Sequence, residues 1–176
     1  MRHANMIAGA LASLLLAAGL GQAQASEHQE VEINKVNADG VGEAIGTVTL
    51  EDTDYGLLLT PDLSGLSPGP HGFHVHENAS CGPDDKTAAA EAGGHYDPDE
   101  TGSHEGPYGD GHLGDLPVLI VNADGKATLP VLAPRLSLDD LKARSLMIHE
   151  GSDNYADEPK PLGGGGARVA CGVLAS

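Results

Sequence analysis

Residues 31–36, Val-Glu-Ile-Asn-Lys-Val, alternate apolar with polar positions, the period-two pattern of a half-buried β-strand. Asn37-Ala38-Asp39-Gly40 then supplies the residues of a turn. Similar short runs predict strands over residues 43–50, 55–60, 73–76, 116–121, 127–132, 145–149 and 168–174. Eight strands, in a chain with 25 Gly and 11 Pro, make an all-β protein of the Greek-key sandwich or barrel kind. Only residues 137–143 suggest a helical turn, with Ser137 as N-cap and Asp140 at the third position. Residues 77–115 and 150–167 fit no strand, and loops of that length usually carry function. The pattern shows no internal repeat and no second domain.

The N-terminal end departs from this pattern. A basic start (Met1-Arg2-His3) leads into an apolar run over residues 6–20, then Ala23-Gln24-Ala25. These are the three parts of a secretory signal peptide. Its 15 apolar residues fall short of the roughly 20 that a membrane span needs. No cysteine follows to take a lipid anchor. Cleavage is expected after Ala25, giving residues 1–25 as signal peptide and one domain over 26–176, exported to the periplasm and soluble there.

Export changes the meaning of the two cysteines. Cys81 and Cys171 are an even pair bound for an oxidising compartment, which favours a disulfide. It would close a loop of 90 residues, for which chain entropy suggests about 4 kcal/mol. The alternative, a pair of thiolate metal ligands, lacks a nearby Cys or His at the usual spacing. The charge is −17, and loss of a leader carrying one arginine and no acid makes it −18. Such a chain stays soluble and is a poor partner for nucleic acid or an anionic membrane.

The chemistry lies in the histidines. Seven of the nine, His71, His74, His76, His95, His104, His112 and His149, fall between residues 71 and 149, and Asp115 follows His112 by three. Neutral imidazole is the commonest metal ligand. His74 and His76, two apart on a strand, leave the same face, while Val75 turns to the core. His71 has the opposite parity, so it is expected to be a structural hydrogen-bonding group. His95, His104, His112 and Asp115 offer three nitrogens and one oxygen from one loop, which suits a closed tetrahedral zinc site. His74, His76 and His149 offer nitrogen alone, which suits copper.

With these residues in view, the chain resembles the copper–zinc superoxide dismutases of the bacterial periplasmic branch. The resemblance is carried by Gly72-Phe73-His74-Val75-His76, Gly93-Gly94-His95-Tyr96-Asp97-Pro98 and Gly111-His112-Leu113-Gly114-Asp115-Leu116. It continues in His149-Glu150-Gly151-Ser152-Asp153 and in residues 166–173, and so covers essentially the whole chain after the leader. It implies one copper held by His74, His76, His95 and His149, and one zinc held by His95, His104, His112 and Asp115, with His95 shared. It implies that Asp153 hydrogen-bonds a histidine of each metal, that Arg168 stands beside the copper, and that Cys81 pairs with Cys171. The implied reaction converts two superoxide anions and two protons to oxygen and hydrogen peroxide, with His95 as proton carrier. Homodimeric and monomeric members both occur in that branch. Residues 84–92 enlarge the loop after Cys81, and only Lys160 offers positive charge within residues 154–166. A periplasmic metal buffer or a copper-delivery protein would also need export and histidines, but not a complete copper set together with Arg168. Superoxide disproportionation with and without a chelator separates these readings.

Overall fold

The structure, a computed structural model, describes residues 28–174; the expected leader and cleavage site lie outside them. The strands are β1 (His28–Asn37), β2 (Gly40–Thr53), β3 (Gly56–Ser64), β4 (Gly69–His71) and β5 (Phe73–His76) in the first half. The second half supplies β6 (Leu119–Val121), β7 (Lys126–Ala127), β8 (Val131–Ala133), β9 (Ser145–His149) and β10 (Arg168–Val173). Eight of them form one sheet in the order β5-β9-β10-β1-β2-β3-β7, with β8 also on β3, while β4 and β6 pair separately. Every pairing is antiparallel. After β3 the chain leaves for the far edge of the sheet as β5, and β1 lies between β10 and β2. This is the all-β class the pattern predicts. Among the described residues no helix is long and apolar enough to cross a membrane.

Period-two alternation explains how the sheet closes on a core. Along β3, Leu57, Leu59, Pro61 and Leu63 are buried, while the positions between them are more open. Ile33, Val48, Leu50, Phe73, Val75, Leu119, Leu146 and Ile148 join the three leucines in one cluster. Each such side chain contributes about 1.5–3 kcal/mol on burial. The one phenylalanine is therefore a core residue, fully buried. A second, smaller cluster gathers Val36, Ala89, Ala92 and Met147 around Cys81 and Cys171, which are disulfide-bonded with their Cα atoms 5.8 Å apart.

Several boundaries differ from the pattern for identifiable reasons. The strand expected over 116–121 begins only at Leu119, because the Val118 N–H is taken by the Tyr155 hydroxyl at 2.9 Å. The strand expected over 127–132 is split into β7 and β8 across Pro130, which has no N–H to donate. β4 was not expected, since Ser67-Pro68-Gly69-Pro70 reads as a turn; it pairs with β6 through His71 and Leu119. The helical turn at Leu138–Leu141 is present with its Ser137–Asp140 capping box. Two further short turns, Ala90–Ala92 and Leu162–Gly164, carry no periodic signal.

Candidate metal centre

β5 sits at the edge of the main sheet, and the loop after it folds back along its open side. The Val75 N–H donates to Gly114 O at 2.8 Å, and the Tyr96 N–H to Val75 O at 2.8 Å. Isolated bridges set His74 opposite Asp115 and His76 opposite His95. Backbone pairing to β5 thus carries His95 and Asp115 to the histidines of the strand. β9 pairs with the other side of β5 and ends at His149. Arg168 lies opposite His149 at the start of β10.

These side chains converge. One donor atom each from His74, His76, His95 and His149 lies within 4.8 Å of the others, and all four residues are buried. A second grouping takes His74, His95, His104 and Asp115. It contains His74 where His112 was expected. That follows from proximity, since the His74 ring stacks on His95 with centroids 3.9 Å apart. His112 stands beside the group with Nδ1 3.5 Å from Asp115 Oδ1. His71 is not in the cluster: its Nδ1 meets His149 O at 2.6 Å and its Nε2 meets Ser67 O at 2.8 Å, the structural role its parity suggests.

The donor set fits two metal ions by what it leaves unpaired. His74 Nδ1, His76 Nε2 and His149 Nε2 are buried without a hydrogen-bond partner, as are His104 Nδ1, His112 Nδ1 and Asp115 Oδ2. Unpaired buried polar atoms are costly and rare. His104 Nδ1 and Asp115 Oδ2 stand 2.9 Å apart without hydrogen-bond alignment, as two lone pairs aimed at a common point would.

The opposite ring nitrogens are tied down. Asp153 bridges the two groups, with Oδ2 2.7 Å from His74 Nε2 and Oδ1 2.8 Å from His104 Nε2. His76 Nδ1 faces Gly93 O at 3.0 Å, and His149 Nδ1 faces Gly166 O at 3.2 Å. Such partners fix the tautomer and aim the free nitrogen. Gly163, at φ 69°, lies so close that a Cβ there would fall 2.1 Å from Asp153 Oδ1 and 2.7 Å from His104 Nε2. Only glycine fits that position.

Burial and neighbouring charge divide the imidazoles. Burial, then the nearby His95, push His74 down to about 3. Burial likewise takes His149 to about 4 and puts His76 well below the ordinary range. His95 is also lowered, chiefly by burial. For His104, burial pulls the same way, but the two carboxylates beside it, Asp115 and Asp153, outweigh it and raise the ring to about 9. Asp115 and Asp153 are held well below the usual carboxylate range: burial opposes this, and their histidine partners overcome it.

A cleft of about 220 Å³ opens onto the first group, lined by His76, His95, His149, Leu162, Gly165 and Arg168. The Arg168 guanidinium is fixed by Ala89 O and Gly93 O, both at 2.6 Å. Lys160 is not among the lining residues; its stem lies against Gly164. Two residues of the surroundings had no motif to mark them. The half-buried Asp157 accepts from the His104 N–H at 2.9 Å and from the Leu162 N–H at 3.1 Å, tying the two loops together. Arg135 donates into the loop between His104 and His112.

Comparison with known proteins agrees with this geometry. The family model for copper/zinc superoxide dismutase matches residues 44–174. The chain is 60% identical over 169 residues to superoxide dismutase (Cu-Zn) 2 of Salmonella typhimurium, covering 93% of this chain and 96% of that protein. Among solved structures, the Cu/Zn superoxide dismutase from Brucella abortus matches with a TM-score of 0.81 at 52% identity, covering 84% of this chain and 99% of that one. The monomeric copper, zinc superoxide dismutase from Salmonella enterica matches with a TM-score of 0.76 at 60% identity and the same coverage. On the fold, the paired donor groups and these likenesses together, the chain belongs to the copper/zinc superoxide dismutase family.

Proposed function

We propose that this dismutase holds copper through His74, His76, His95 and His149, and zinc through His95, His104, His112 and Asp115. Carrying this reading is the set of six buried donor atoms with no partner, three on each side of His95. Copper bound there supplies the one-electron couple by which two superoxide anions and two protons become oxygen and hydrogen peroxide, and zinc supplies a fixed charge on the far side of His95.

The chain's own groups do the rest. Arg168, always cationic in proteins, lies in the wall of the cleft and draws the small anion inward by charge-assisted hydrogen bonding. His95 turns Nδ1 toward Asp115 Oδ1, 2.9 Å away, which leaves Nε2 facing the cleft side. Nε2 can carry a proton only while it is not serving as a metal ligand; it would then pass that proton to the second superoxide, with water supplying the other. Asp153 holds His74 and His104 in register, so that neither donor group can rotate without disturbing the other. All of these groups come from one chain, so turnover needs no second subunit. The enzyme acts after export to the periplasm, where the disulfide is stable.

Two variants test the assignment. His149→Ala should abolish turnover and lose copper while zinc stays bound. His112→Ala should lose zinc first, with copper partly retained. Metal analysis of both proteins decides: equal loss of both metals in each would overturn the two-site division.

A further inference from the structure

We propose that Arg135 is the positioning residue of the zinc group, shaping the segment between His104 and His112 through its carbonyl oxygens; this rests on the zinc assignment above. Arg135 touches neither metal-binding side chain. Its Nε donates to Pro107 O at 3.3 Å, Nη1 to Gly111 O at 2.9 Å, and Nη2 to Gly106 O at 3.4 Å and to His112 O. One guanidinium thus binds four carbonyls of a seven-residue stretch.

Those carbonyls have little else to bind. Among the described residues, no backbone N–H donates to Gly106 O, Pro107 O or Gly111 O, and His112 O takes only the Asp115 N–H at 3.4 Å. The segment contains no strand or helix, so Arg135 does for it what a neighbouring strand would do. Backbone acceptors left without partners inside a fold are costly, and a planar fork with five fixed donors can satisfy several at once.

The base of the fork is rigid. Arg135 sits between β8 and the turn at Leu138–Leu141, beside Leu136, which is 4% exposed in the main core. The Leu136 N–H closes a turn on Ala133 O at 3.3 Å. At its far end the segment reaches the zinc group directly, because one of the four carbonyls belongs to His112 itself. Arg135 therefore ties His112 to the barrel wall, and with it the spacing of His112 from His104. Without it, binding zinc must also order the segment, and that ordering cost falls on zinc affinity.

The test follows zinc transfer from the metallated enzyme to a competing chelator, in Arg135→Gln and Arg135→Lys beside the unaltered protein. Cobalt placed in the zinc position provides a second readout, since its visible bands report the geometry of the ligand set. Arg135→Gln should weaken zinc by about tenfold or more, about 1.4 kcal/mol, and should shift the cobalt bands. Copper retention should change less than about twofold, well under 1 kcal/mol. Arg135→Lys, keeping charge without the fork, should recover only part of the affinity. Zinc affinity and cobalt bands unchanged in both variants would overturn the proposal, as would an equal loss of zinc and copper. His112→Ala separates the two levels. If it keeps zinc, the ligand assignment fails. If it loses zinc while the Arg135 variants hold it normally, only the positioning role fails.

Discussion

His104 and His149 belong to one cluster yet hold protons with very different strength, and the difference bears on how each metal enters. His149, at about 4, and His74, at about 3, are driven down chiefly by burial. At neutral pH both present a lone pair with no proton to displace. His104 is held at about 9 by Asp115 and Asp153, against the pull of burial, so a metal arriving there must expel a proton. Metal affinity follows ligand deprotonation. Zinc affinity should therefore rise about tenfold per pH unit up to pH ~9, as one bound proton is displaced. Copper affinity of the zinc-free protein should stay flat between pH ~5 and ~8, because its rings are then already neutral and His95 keeps its second proton toward Asp115. Chelator competition for each metal across that range checks this, and parallel slopes for the two metals would refute it. That histidines and an aspartate gather in two donor groups was legible from spacing along the chain, although the second group contains His74 where His112 was expected. The proton affinities were not. They depend on burial and, for His104, on Asp115 and on the bridge that Asp153 makes to residues 79 and 49 positions away, and nothing local in the sequence reports those contacts.

Elements set the next level of control, and the disulfide shows how. Cys81 leaves β5 by way of its following loop, and Cys171 lies within β10. The bond draws Ala89 and Ala92 into a small apolar cluster with Met147. Ala89 O and Gly93 O, at the edge of that cluster, are the two acceptors that fix Arg168. Breaking the bond should thus act on stability and on rate. Replacing both cysteines by serine should cost roughly 2–5 kcal/mol in denaturant unfolding. It should also lower kcat/KM of the fully metallated, folded protein, because the loop that positions Arg168 is freed. Loss of stability at an unchanged rate would show that Arg168 is held by other means. Two reactive thiols in the denatured, exported enzyme would remove the premise. Strand existence was read well from alternation, as for β1, β5 and β9. What was hidden is that residues 94–96 and 113–115 pair beside β5 without strand-like sequence. Their backbone follows the ligands, and apolar–polar alternation cannot signal a pairing whose buried side chains are themselves polar ligands. Residues 116–118 are the converse: strand-like in sequence, they leave the ladder because one tyrosine hydroxyl from the second loop takes the Val118 N–H.

For the molecule as a whole the governing quantity is charge. The chain carries −17, and its substrate is an anion, so the overall field opposes approach. Catalysis must depend on positive potential concentrated at the cleft. Among the chain's own side chains, Arg168 lines that cleft, whereas Lys160 lies against Gly164 outside its lining. Half-buried and held by two carbonyls, Arg168 acts from a low-dielectric wall, where a charge is felt more strongly than at the surface. Arg168→Ser should therefore lower kcat/KM by about tenfold or more, which corresponds to ~1.4 kcal/mol of lost transition-state stabilisation. Salt gives the sharper signature. Repulsion from a distributed negative charge and attraction from one local cation respond to screening with opposite signs, over a Debye length of about 10 Å at about 0.1 M. If local attraction governs encounter, added salt slows the unaltered enzyme. Once Arg168 is gone, the distributed repulsion remains, so the variant should slow much less, or even gain speed. Pulse radiolysis across a range of ionic strength, on proteins matched for copper and zinc content, measures both slopes. An unchanged rate with an unchanged salt slope in Arg168→Ser would mean that the approach of superoxide is governed elsewhere on the surface.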